Sequence, residues 1–378
     1  MERMRRRAKP GDETHVAVLC DWLLRYGSRQ AIGLRSTGVR VTLYYVDRLG
    51  EFGGRGDDRE RFLQRARDAG VDVVGVPMRH PLRIPAHVRW LTRDLRSRNV
   101  TVLVAQSHYD PRWALVSLRF PTALILHDPR PHSGEEETLP LPGRMMARLV
   151  EATASCIVVL SERLKPQIRS FLRHQAVAVA PHGTDLAGEP LPIPVNRELL
   201  VLGRLFPYKG VEVAVDAFER LRTVRGDVRL TVAGRGPSAD RLRQSLPEGV
   251  RLIDRYVTEV EVEQLLAEAT LMLLPYTDAT QSGVGLLAIG HGLPCIVSSE
   301  GGLPDLVPDA YSECVVASGE PAALADVVAR HLDHGQDLRR AFYEHAQDGF
   351  TWSVAGRALL DELIRLDLAK RPETGERI

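Results

Sequence analysis

Short and almost unbroken apolar runs recur along the chain, separated by longer stretches whose apolar positions return every three to four residues. In the first half the runs predict strands at 15–19, 39–46, 71–76, 100–105, 123–126, 156–160 and 177–180, with amphipathic helices such as 59–69 and 86–98 between them. The runs are Val, Ile, Leu and Ala rather than an apolar–polar alternation, the pattern of strands buried on both faces. Strand–helix alternation of this kind implies right-handed βαβ crossovers and a parallel sheet. The pattern pauses at Gly188-Glu-Pro-Leu-Pro-Ile-Pro194, where closely spaced prolines oppose both helix and ladder pairing. It then restarts, with strands predicted at 199–202, 228–233, 250–253, 271–274 and 295–297. The expected class is α/β, with two doubly wound parallel-sheet domains facing across a cleft. The first spans 13–187, a linker 188–196 and the second 197–351, and ligands are expected beyond the carboxyl ends of the strands.

Length agrees with two domains, since 378 residues exceed what one ordinary core organises. Fifty basic against 49 acidic residues leave a formal charge of +1, without the basic surplus of a dedicated nucleic-acid binder. Cys20, Cys156, Cys295 and Cys314 lie far apart, in or beside apolar runs, and read as buried free thiols of a reducing compartment. No apolar stretch approaches the ~20 residues of a membrane span. Residues 1–12 are basic with no apolar segment after them, which predicts a disordered tail rather than a secretion signal and a cytoplasmic location. Peripheral contact with an anionic membrane is left open.

Two segments of the second half carry the most chemistry. Val201-Leu-Gly-Arg-Leu-Phe-Pro-Tyr-Lys-Gly-Val211 delivers Gly203 and Arg204 to a strand end and Lys209 to the start of a helix. Two cations beside a helix N-terminus suit a diphosphate, although a strand–loop–helix with two solvated cations has the same pattern. In Leu274-Pro-Tyr-Thr-Asp-Ala-Thr-Gln-Ser-Gly-Val-Gly285, Gln281, Ser282, Gly283 and Val284 fall at a helix start, where unpaired N–H groups meet a second phosphate face or an ordinary N-cap closes the helix. Val232-Ala-Gly-Arg-Gly-Pro237 and Ser298-Ser-Glu-Gly-Gly-Leu-Pro-Asp-Leu-Val307 are glycine turns without dinucleotide or P-loop spacing.

In this order the segments resemble the family 4 retaining glycosyltransferases of the GT-B fold, in the branch with a Gln-Ser-Gly-Val motif. The resemblance is close over 199–316, and Pro181-His-Gly-Thr-Asp185 and Phe350-Thr-Trp352 share it. It implies a hexosyltransferase that moves a sugar from a nucleotide diphosphate donor, UDP- or GDP-linked, to a hydroxyl of a small molecule or glycan. It also implies Rossmann-like domains, a final helix (352–370) completing the first of them, Arg204 and Lys209 on the donor diphosphate, and Tyr256 and Val257 flanking the nucleotide base. Bacterial polysaccharide or natural-product assembly is the expected setting.

The chain departs from the family pattern at the two usual glutamates, where Ala279 and Leu287 stand; Asp278 is either a replacement acid or a turn former. In the first half, strand ends carry Asp21 and Trp22, then His108 and Asp110, then His127 and Asp128. These are candidate acceptor-side groups or helix caps, and the resemblance favours His127 as the histidine near the reacting sugar. No Asp-x-Asp pair occurs, and the expectation is catalysis without a metal or other cofactor. The missing glutamates keep a second reading open, a non-catalytic GT-B protein that binds a nucleotide or partners an active transferase.

Overall fold

Val16 to Leu19 are all inaccessible to solvent, so the strand they form is covered on both faces, as its unbroken apolar run requires. The computed structural model describes residues 13–46, 56–78, 80–106, 110–128, 141–169, 175–333 and 335–371. The basic tail at 1–12 and His108 lie outside them. Among the described residues two units divide the chain, one of 13–128, 141–183 and 352–371 and the other of 184–351.

In the first unit β1 (His15–Cys20), β2 (Arg40–Val46), β3 (Asp72–Val76), β4 (Val102–Ala105), β5 (Thr122–Ile125), β6 (Cys156–Val159) and β7 (Ala176–Val179) form a parallel sheet in the order β3-β2-β1-β4-β5-β6-β7. Alternate residues serve different layers. Val16 and Val18 pack with Leu34 of helix Leu24–Arg35 and Leu359 of helix Trp352–Arg365. Ala17 and Leu19 pack on the other face with Leu91 of helix Ile84–Ser97 and Trp113 of helix Pro111–Ser117. Helix Trp352–Arg365 joins this unit by close backbone approach: a side chain on Gly33 would overlap the Trp352 carbonyl, and one on Gly356 the Gly33 backbone.

The second unit repeats the plan with β8 (Arg197–Arg204), β9 (Val228–Arg235), β10 (Val250–Asp254), β11 (Leu271–Leu274), β12 (Cys295–Ser298) and β13 (Val315–Val316), ordered β10-β9-β8-β11-β12-β13 and parallel throughout. In both sheets the strand order reverses beside the first strand, between β1 and β4 and between β8 and β11. Such switch points open the crevice in which α/β sheets bind ligands.

Two details were not in the apolar pattern. β13 is only two residues long, too short to stand out as a run. β8 extends past Leu202 because Gly203 and Arg204 still pair with Gly234 and Arg235. The proline-rich stretch 188–194 counts with the second unit, held there by Ala187 N donating to Gly290 O (2.9 Å) and Leu191 N to His291 O (3.0 Å). All four cysteines are buried and free.

Candidate active site

At the second unit's switch point β8 ends on Arg204, and the chain turns through a short 3-10 segment, Pro207–Lys209, into helix Val211–Arg222. Gly210 makes the turn at φ 65°, and any side chain there would overlap the Pro275 carbonyl. Thr277 N donates to Tyr208 O (2.8 Å). The loop after β8 is thereby held against the loop after β11, whose last strand residue is Leu274.

This junction fixes both cations. Arg204 Nη2 donates to the hydroxyl of buried Tyr208 (3.0 Å). Lys209 Nζ sits 3.8 Å from the ring centroid of Tyr276 and 5.0 Å from that of Tyr208, on the negative faces of two aromatic rings. Burial raises the Tyr276 hydroxyl well above the usual tyrosine range, so it stays protonated. It lies 2.9 Å from Ser282 Oγ, which also accepts from Gly285 N (3.2 Å) as the N-cap of helix Gly283–Gly290.

Helix Gly283–Gly290 is apolar almost throughout and largely buried, and its first-turn N–H groups have no intrahelical partner. Gly283 is exposed, with open space where a side chain would be, and Val284 Cγ1 lies 3.7 Å from the Cβ position of Gly203. Gly203, Arg204, Lys209, Ser282, Gly283 and Val284 therefore converge on one electropositive corner, with the positive helix end adding to the two cations. Gln281 lies against Gly302, and Gly302 N donates to Thr280 O (2.9 Å), tying this corner to the glycine turn after β12. Asp278 is half-buried in the same loop; Ala279 is buried beneath Gly301 and Leu287 packs on the core.

Tyr256 and Val257 follow β10 on the same edge of the sheet. Tyr256 is 65% exposed, while Val257 packs against the core. The loop is braced by Thr258, which caps the next helix in a reciprocal pair with Glu261. The Arg255 guanidinium and Thr258 hold the Glu261 carboxyl down at about 2.

In the first unit the strand ends carry a chain of amides. His127, half-buried after β5, places Nε2 3.2 Å from Gln106 Oε1 at the end of β4. An amide oxygen only accepts, so this contact requires the proton on His127 Nε2. Gln106 Nε2 donates to Gln30 Oε1, and Gln30 Nε2 to the Tyr26 hydroxyl (3.3 Å). Tyr26 stands edge-on to His127 and His182, each at 4.6 Å between ring centroids, and to Trp352 at 5.1 Å. Burial and the neighbouring His127 push His182 down to about 3, and its Nδ1 donates to Gly183 O (2.6 Å). His182 is thus neutral at ordinary pH.

The other first-unit candidates separate. Asp110 caps helix Pro111–Ser117 through Arg112 N (2.9 Å) and forks onto the Arg112 guanidinium, both side chains fully buried. That arrangement supports its capping alternative. Asp21 is buried and accepts from Trp113 Nε1 (3.1 Å), whereas Trp22 is 44% exposed and Asp128 is exposed. Sequence reasoning passed over Tyr26, Gln30, Gln106, Tyr208 and Tyr276. Only Gln106, directly at a predicted strand end, and Tyr276, inside the second motif, carried a signal of position.

Two switch-point α/β units, one with a cationic corner built on a helix N-terminus, define the GT-B class. The Glycosyl transferases group 1 family matches residues 196–334, and Glycosyltransferase Family 4 matches residues 25–187. Each half of the chain thus matches a glycosyltransferase family model, in keeping with a family 4 glycosyltransferase of the GT-B fold. A glycogen synthase of Mycobacterium tuberculosis is 31% identical over 193 residues, 48% of this chain and 47% of that protein. The amylovoran biosynthesis glycosyltransferase AmsK of Erwinia amylovora is 28% identical over 183 residues, 44% of each chain. The chain spans about half the length of the curated relatives it matches. In fold it is similar to the Anabaena protein HepE, solved in complex with UDP and glucose, with a TM-score of 0.67 at 16% identity over 93% of this chain and 100% of that one. Sucrose-phosphate synthase of Thermosynechococcus elongatus gives a TM-score of 0.61 at 13% identity over 94% and 100%.

Proposed function

We propose that the protein transfers a hexosyl group from a UDP- or GDP-linked donor to an acceptor hydroxyl, with retention at the anomeric carbon and without a metal ion. The observation that carries this reading is the convergence of Arg204, Lys209 and the N-terminus of helix Gly283–Gly290 at the carboxyl end of β8. The barrier to glycosyl transfer is set by charge building on the departing diphosphate. Fixed cations and N–H donors that meet this charge do the work a metal would otherwise do. One such contact is worth ~3 kcal/mol in the transition state, about 100-fold in rate. A departing phosphate oxygen can take the acceptor proton, so the reaction calls for no separate protein base.

Tyr256 and Val257 are assigned to the base, Asp278 and Gln281 to the donor sugar or ribose, and the strand ends with Asp21, Trp22, His127 and Asp128 to the acceptor side. The acceptor is proposed to be a glycan or small molecule of bacterial polysaccharide or natural-product assembly in the cytoplasm. Relatives named for glycogen and amylovoran support the polymer setting. Among the described residues no helix is long and apolar enough to cross a membrane.

Thermal shifts with UDP, GDP, ADP, dTDP and CMP, on wild type and Arg204→Ala, test the donor site. Ligand at 100 times its Kd adds ~2.7 kcal/mol. A rise with one diphosphate that the variant lacks is expected; no rise with any would remove the donor reading. Ala279, buried where an acid is usual in the family, favours a non-catalytic nucleotide binder as the second reading. A new glycoside among the products would exclude it, and binding without turnover would establish it.

A further inference from the structure

Helix Ile84–Ser97 presents Val88, Arg89, Thr92, Arg93 and Arg96 as one stripe at i, i+3 and i+4 spacing. With Leu115 and Arg119 from the neighbouring helix and the turn after it, the stripe lines a groove of about 600 Å³ on the first unit. Val88 and Leu115 give the groove an apolar floor. Arg119 is steadied by donating through Nη1 to Leu115 O (2.7 Å).

Among the described residues no carboxylate pairs with Arg89, Arg93 or Arg96. Asp94, the one acid of the helix, is engaged elsewhere by the Tyr44 hydroxyl (2.7 Å) and Arg98 Nε (2.9 Å). Thr92, 8% exposed, lines this groove, and among the described residues its buried hydroxyl has no hydrogen-bond partner. A buried hydroxyl without a partner is costly and uncommon, and a ligand that bonds it removes the cost.

We propose that this groove binds an anionic saccharide, a sugar chain carrying carboxylate or phosphate groups, at a site of its own. Guanidinium forks match either anion. The three helix arginines span about 10 Å, which suits a short oligosaccharide better than a single ion. Between the cations the apolar floor can take the C–H face of a sugar ring, and the Thr92 hydroxyl can bond a ring substituent. The flat surface of a membrane would meet the arginines and leave the recessed hydroxyl unsatisfied. The inference concerns binding and holds whether or not the proposed transfer occurs.

The test is fluorescence anisotropy of the full chain with labelled oligogalacturonate and with a phosphomannose oligosaccharide, against a neutral maltooligosaccharide. At least one anionic probe is expected to bind, more weakly as salt rises. Arg89→Gln/Arg93→Gln/Arg96→Gln should lose ~10-fold or more in affinity, and Arg93→Gln alone several-fold. Thr92→Val should weaken binding several-fold without changing its salt dependence. Arg220→Gln, an exposed arginine of the second unit, should leave it unchanged. The proposal is overturned if neither anionic probe binds, if the neutral one binds equally, or if the triple variant binds as wild type does. Binding to phosphatidylglycerol vesicles alone would also overturn it and make the groove a membrane contact.

Discussion

Lys209 Nζ lies 3.8 Å from the centre of the Tyr276 ring, and the Tyr276 hydroxyl lies 2.9 Å from Ser282, which caps the helix after β11. One aromatic side chain therefore sets the distance between the cation of one loop and the N–H donors of the next. Lys209→Ala should lower kcat/KM by ~100-fold. Tyr276→Leu, which keeps the lysine but removes its support, should cost ~5- to 30-fold. Tyr276→Phe keeps the ring and should stay within a few-fold. Steady-state kinetics on the three variants check the order; equal losses for Leu and Phe would transfer the role from the ring face to the hydroxyl.

Gly210 stands at φ 65° with the Pro275 carbonyl in the space of a side chain. Gly210→Ala carries both a backbone penalty and a steric overlap, and should destabilise the second unit by ~1–3 kcal/mol or more. Denaturant unfolding measures this directly. A loss of a few tenths of a kcal/mol would mean that the two loops separate readily, and the fixed-cation argument would weaken with them.

The amide chain from Tyr26 through Gln30 and Gln106 holds the His127 ring with its proton on Nε2. Gln106→Leu removes the acceptor and should lower kcat by ~10-fold, with the donor KM little changed. Gln106→Glu restores an acceptor and sets a carboxylate beside the imidazole, favouring its charged form. The acidic limb of the pH–rate profile should then move to higher pH, which a merely structural role for Gln106 would not produce.

His182 ordinarily titrates near 6.5 and is pushed down to about 3 in the fold, chiefly by burial. Below pH 6.5 the unfolded chain takes up a proton that the folded chain refuses. The stability due to the neutral ring is complete above pH 6.5 and drains away as pH falls towards 3. His182→Asn should flatten the decline of Tm between pH 6.5 and 4 relative to wild type. Parallel Tm–pH curves for the two proteins would show that the ring is hydrated and chargeable in the folded state.

Continuous apolar runs announced nearly all the strands, because a strand covered on both faces has no polar positions to interrupt it. Gly203, Arg204 and Lys209 were legible for a related reason: they follow a buried strand at once and precede a helix, and local chain geometry alone carries them to the sheet's edge. Tyr208 and Tyr276 looked like ordinary core aromatics, since nothing local reveals that a lysine will rest on their faces. Asp110 carried two local meanings, strand-end acid and helix cap, and its buried fork onto Arg112 supports the second.

By itself the sequence determined the element types, the parallel sheets and the cations offered at the end of β8, all consequences of periodicity and short-range connection. Only the tertiary structure decided which side chains meet across strands far apart in the chain. Gln30 reaches Gln106, Tyr26 reaches His127, His182 and Trp352, and the arginine stripe of one helix faces Leu115 of the next. These pairings depend on strand order and on which face of each helix is buried. Both are set by the packing of the whole sheet rather than by any local run of residues.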